Sequence, residues 1–200
     1  KLYCAEEALP SPQVPIAPSK LTWKTFLEQQ PKWTQPFLGM VSALVPLQLI
    51  IDEYYTNKTL LFVSDGSGKN QQMSYGWVCA TPKGRRLVKA AGPCSGRECS
   101  LRSESAGMLS MSLFIGLLFR YFHQPSAYFK FLADNIELIR RMKEHQGYEH
   151  PYANVTLRSE FDLSEQIFET HRDYNIRATF EHIKGHQDKT KKLEDLPLQS

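Results

Sequence analysis

The stretch Thr59–Ala80, TLLFVSDGSGKNQQMSYGWVCA, decides the fold. Leu60, Leu61, Phe62 and Val63 make an apolar run of the kind that belongs inside a sheet, and the run stops at Asp65, ahead of Gly66 and Gly68. A carboxylate at the end of a buried strand needs water, a partner or a metal. Beyond the glycines, Met73–Ala80 and Arg86–Ala91 read as two more strands, with turns carrying Gly66, Gly68 and the TPKG of Thr81–Gly84. The three together read as an antiparallel meander.

Downstream, Ser100–Phe122 places Leu101, Ala106, Leu109, Leu113 and Leu117 at three- and four-residue steps, which predicts a long helix crossing the sheet with Ser100 as its N-cap. AYFKFLAD, Ala127–Asp134, reads as a buried strand ending in Asp134, with the helix NIELIRRMKEH starting directly behind it. FDLSEQIFETHRDY is another amphipathic helix, and NIRATFEHIKGHQD closes with a strand alternating at Ile176, Ala178 and Phe180, followed by a glycine-containing loop. The fold class expected from this order is α/β (mixed), a five-stranded mixed sheet with helices on both faces. Upstream, residues 1–20 hold four prolines and no apolar period, an extended arm. Residues 21–58 place apolar side chains at helical spacing, broken at Pro31 and Pro36, and read as a helical extension docked on a domain covering 59–200.

Composition narrows the class. A chain of 200 residues with 42% hydrophobic and 12% aromatic residues can bury one good core with an appended segment. A formal net charge of +3 is compatible with a polyanionic partner without being a basic tail. The four cysteines, Cys4, Cys79, Cys94 and Cys99, lack zinc-site spacing and read as reduced thiols. With no signal peptide or membrane-spanning run read from the sequence, the expected setting is intracellular, nucleus or cytoplasm, with no membrane partner.

The acidic residues then fall into line. Asp65 and Asp134 end the first and fourth strands, and Glu104 lies near the start of the long helix. If those strands are parallel neighbours, both ends share one edge and the helix can bring Glu104 over them. Three carboxylates at one point repel one another unless a divalent cation sits among them, and hard oxygen ligands suit magnesium or manganese. Each residue alone has an ordinary reading: Asp65 before a glycine as a turn former, Asp134-Asn135 as a helix cap, Glu104 as compensation of a helix dipole. Only the joint placement favours a site.

VSDGS…GW with Asp65, RSESAGML with Glu104, LADN with Asp134 and HIKGHQD with His186 together resemble the ribonuclease H fold, and in particular the ribonuclease H domains of reverse-transcribing retroelements, over about residues 59–190. LTWKTFLEQQPKW resembles, more weakly, the connector segment that precedes this domain in such elements. The resemblance implies hydrolysis of the RNA strand of an RNA–DNA hybrid by two Mg2+ or Mn2+ ions about 3.5–4 Å apart. Asp65 would bridge both ions, and Glu104 and Asp134 would each complete one shell. Asp188 or Asp195 stands as candidate for a further metal ligand. His186 would assist proton transfer or product release. Gly66, Ser67, Ser100 and Asn135 would face the hybrid, and Arg140, Arg141 and Lys143 would contact phosphates. The expected partners are an RNA–DNA hybrid or other nucleic acid, and the rest of a reverse transcriptase polyprotein or a larger assembly. The alternative from another class is a non-catalytic scaffold of the same fold. DNA strand transfer, as by an integrase, shares the fold, but the Gly-His loop after the last strand speaks against it.

Overall fold

A computed structural model describes residues 22–38, 40–146 and 154–185. Six strands form one mixed sheet: β1 (Val41–Ala43), β2 (Leu60–Lys69), β3 (Gln72–Ala80), β4 (Arg86–Cys94), β5 (Ala127–Ala133) and β6 (Ile176–His182), in the order β1-β4-β3-β2-β5-β6. The helices are α1 (Trp23–Glu28), α2 (Gln35–Leu38), α3 (Leu47–Asn57), α4 (Ser100–Tyr121), α5 (Ile136–His145) and α6 (Phe161–Asp173). β2, β3 and β4 are the antiparallel meander, while β5 pairs parallel with both β2 and β6.

The expected class stands, with a sixth strand added from the extension. Val41, Ser42 and Ala43 pair with Ala90, Lys89 and Val88 of β4, and the Leu44 amide donates to the Leu87 carbonyl at 2.9 Å. So short a strand has no alternation of its own to read; its pairing with β4 makes it a strand. β2 also runs further than expected, to Lys69, with its turn at Asn70 (φ 53°) and Gln71 (φ 62°), the left-handed pair of a tight two-residue hairpin. Glu98 Oε2 accepts from the Gln71 amide at 2.8 Å and fastens this turn to the β4–α4 loop.

The buried aromatics of the strands share one parity, while Tyr128 of β5 is exposed on the other. Phe62, Trp77, Phe129, Phe131 and Phe180 are buried. Trp77 meets Phe114 of α4, Phe129 meets Tyr54 of α3, and Phe131 and Phe180 stack with His171 of α6. The helices with ring contacts to the sheet, α3, α4 and α6, pack on this aromatic face. The other parity exposes Asp65, Lys89, Arg177 and Glu181, the last paired with Lys130 at 2.7 Å.

α4 is buried almost all round. The extension explains this, since Trp23 and Phe26 of α1 pack on Phe114 and Tyr121, and Tyr54 of α3 sits edge-on to Phe119 with centroids 4.9 Å apart. The helix therefore carries buried serines, and their hydroxyls find partners: Ser105 donates to the Leu101 carbonyl, Ser110 accepts from the Trp77 indole at 3.0 Å, and Ser112 lies 2.9 Å from His171 Nε2. Cys79, Cys94 and Cys99 are free thiols, and Cys4 lies outside the described residues. Among the described residues no helix is long and apolar enough to cross a membrane.

Candidate active site

The register puts two carboxylates side by side. Ser64 of β2 pairs with Ala133 of β5, so the next residue on each parallel strand, Asp65 and Asp134, stands at the same level of the sheet edge. Asp65 does not end its strand as expected. It lies where β2 loses its β5 neighbour and continues beside β3 alone, which exposes its side chain.

α4 reaches this edge through glycine. A Cβ on Gly66 would lie 2.4 Å from Ser103 Oγ and 2.8 Å from the Glu104 amide nitrogen, so the missing side chain lets the first turns of α4 rest directly on β2. Replacing Gly66 with Ala should therefore displace the start of α4, with about 1–3 kcal/mol lost from stability in urea unfolding. An unchanged unfolding midpoint would show that the contact is not as close as described.

Glu104 arrives from this helix only 2% exposed. Its Oε1 accepts from Ser100 Oγ at 2.8 Å and from Asn135 Nδ2 at 3.1 Å, and its Oε2 is buried with no hydrogen-bond partner. Burial pushes this carboxyl up to about 7 against the pull of both hydrogen bonds, and the nearby charges of Asp134 and Asp65 add to the rise.

A meander, a helix crossing from β4 to β5, two further parallel strands, and acids at one level of two adjacent strands with a third from the crossing helix now stand together. The fold is ribonuclease H-like. No protein-family model matches the sequence, and no curated protein does. Among solved structures the chain is similar to LC11 RNase H1 in complex with an RNA/DNA hybrid, at 12% identity and TM-score 0.46 over 64% of this chain and 87% of that one. It is similar to RNase H1 of the archaeon Halobacterium salinarum NRC-1 at 10% identity and TM-score 0.46, over 66% of this chain and 89% of the other. A third likeness is to the PFV RNase H domain, at 15% identity and TM-score 0.45 over 68% and 84% of the two chains.

A divalent cation suits the ribonuclease H-like edge in kind, since the donors are all carboxylates and one buried oxygen is left unpaired. Their placement is looser: among the described residues no three His, Cys, Asp or Glu side chains are grouped so as to hold a metal ion. Glu104 is held in place by its hydrogen bonds from Ser100 and Asn135. The expected metal ligand Asp188 and the expected proton carrier His186 lie outside the described residues. The loop toward them does reach the site, because a Cβ on Gly185 would lie 2.1 Å from Asp134 Oδ2.

The residues expected to face nucleic acid divide into two groups. Ser67 is exposed on β2 beyond Asp65, and Lys143 is exposed on α5. Arg140 and Arg141 are already engaged: both bind Glu137, whose carboxyl they hold down at about 2, Arg140 also binds Glu144, and Arg141 also binds the Ser159 carbonyl. Ser100 opens α4 rather than capping it; Cys99 holds the cap position with no side-chain bond, which leaves the Ser100 hydroxyl to Glu104. His182, which sequence reasoning passed over, ends β6 with Nε2 3.0 Å from the Asp134 carbonyl oxygen. Its signal was hidden because the position is set by the Ala133–His182 register, which appears only once β5 and β6 are paired.

Proposed function

We propose that the chain is a metal-dependent endonuclease of retroelement origin that cleaves the RNA strand of RNA–DNA hybrids. The observation that carries the reading is the buried Glu104, with Oε2 unpaired, beside the carboxylates of Asp65 and Asp134 at one sheet edge. Burying an unneutralised carboxylate is unfavourable by several kcal/mol, and its presence makes sense where a cation compensates it. Asp65, Glu104 and Asp134 would hold Mg2+ or Mn2+, with Asp188 as a further ligand. The ions would supply an activated water and neutralise charge on the leaving oxygen. The chain's own part is to keep the three acids on a rigid sheet and helix, with Ser67 and Lys143 exposed alongside for the nucleic acid.

The test is cleavage of an end-labelled RNA–DNA hybrid, single-stranded RNA and duplex DNA with Mg2+, Mn2+ or EDTA. Cuts confined to the RNA of the hybrid and abolished by EDTA are expected. No cutting with either metal would reject the nuclease reading. A second reading, a scaffold that binds nucleic acid or a protein partner without cutting, is favoured by the helical extension docked on α4. It predicts hybrid binding that is indifferent to divalent cations.

A further inference from the structure

We infer that Asn135 is a positioning residue, holding one oxygen of Glu104 so that the other is left without a hydrogen bond, and that it does this rather than touch a substrate. The inference rests on the nuclease reading above. Asn135 caps α5: its Oδ1 accepts from the amides of Glu137 and Leu138, both at 3.1 Å. That capping settles which way the side-chain amide lies, since only its oxygen can accept. Nδ2 must then point away from α5, and there it meets Glu104 Oε1 at 3.1 Å and Ser100 Oγ at 3.3 Å.

An amide oxygen accepts two hydrogen bonds and an amide nitrogen donates two. All four are taken inside the protein, which leaves the Asn135 side chain nothing to offer a hybrid without breaking a bond it already makes. A carboxylate rotates easily about its last torsion, so its two oxygens are equivalent until a neighbour distinguishes them. Asn135 and Ser100 both choose Oε1 and leave Oε2 unpaired. The same residue directly follows Asp134, whose carbonyl is within bonding distance of His182. One short segment thus sets Asp134 and Glu104 relative to each other, as a metal site that tolerates little looseness requires.

The experiment uses Asn135→Ser, which keeps a favoured helix cap but is too short to reach Glu104. Mn2+ binding by the substrate-free chain is measured by calorimetry, and kcat and KM on the hybrid are measured alongside. Mn2+ affinity should fall by about 10–100-fold, kcat should fall with it, and KM should stay within about twofold. In a Glu104→Gln background the same change should lower Mn2+ affinity no further, because the second carboxylate oxygen that Asn135 leaves free for the ion is gone. Ser100→Ala, which leaves the α5 cap intact, should give a smaller loss in the same direction, and it serves if Asn135→Ser folds poorly. A raised KM with unchanged kcat and Mn2+ affinity would make Asn135 a substrate contact and overturn the inference. An equal loss with and without Glu104 would overturn it too. If the unaltered chain neither binds Mn2+ nor cuts the hybrid, the nuclease reading fails and the inference falls with it; Mn2+ binding that Asn135→Ser leaves unchanged removes the inference alone.

Discussion

Glu104→Gln should make the chain more stable at pH 8 without divalent cations while lowering hybrid cleavage by at least about a hundredfold. The two effects share one cause. Glu104 is 2% exposed, and burial holds its carboxyl near 7 in place of the ordinary 4.5. An acid whose native value is raised binds its proton more tightly when folded, so stability declines as pH rises from about 4.5 to about 7 and stays low above that. At pH 8 the displacement corresponds to roughly 3 kcal/mol of penalty for the ionised side chain. Glutamine carries no charge and still offers Ser100 and Asn135 an acceptor, though its amide nitrogen takes the place of the unpaired oxygen and returns part of the gain. A net rise of about 1–2 kcal/mol in urea unfolding is the expected result. Mn2+ should raise the unfolding midpoint of the unaltered chain and leave that of the variant nearly unmoved. A variant less stable than its parent in metal-free buffer would mean that the Glu104 charge is already compensated within the protein.

How far the sequence led is clearest at β2. The apolar run from Leu60 to Val63 identifies a strand, and the strand-helix-strand order after it places Asp65 and Asp134 on one edge, because parallel neighbours present like ends together. Glu104 is legible as the third acid because α4 has so strong a period. What stays hidden depends on contacts between distant residues. Gly66 and Gly68 read as turn formers, yet both lie within β2, where one makes room for α4 and the other faces Glu98. Ser100 and Asn135 each carry cap chemistry in the sequence. Only the folded chain shows that Cys99 takes the α4 cap, and that Asn135 keeps its own cap while also binding Glu104. β1 escapes notice since three residues hold no period, and its edge position is decided by β4.

His171→Gln should make the metal-free chain gain stability on acidification relative to its parent. The imidazole of His171 lies between α6 and the sheet, stacked with Phe131 at 5.6 Å and Phe180 at 6.1 Å, with Ser112 Oγ 2.9 Å from Nε2. Burial among these groups lowers it from 6.5 to about 4, so it is neutral at pH 7. The unfolded chain then binds a proton at His171 that the native chain refuses. The associated stability is complete above about pH 6.5 and is lost progressively as pH falls toward 4, about 2 kcal/mol of it between pH 7.5 and pH 5. Glu104 acts in the opposite sense over nearly the same range, gaining on acidification about what His171 loses. The contribution of these two groups to the metal-free parent should therefore be close to flat between pH 7.5 and pH 5. Urea unfolding at both pH values separates them: relative to the parent, His171→Gln should gain about 2 kcal/mol on acidification and Glu104→Gln should lose about as much. If both variants follow the slope of the parent, neither group is held away from its ordinary range, and the buried, charge-strained edge on which the nuclease reading depends is more open to water than its burial indicates.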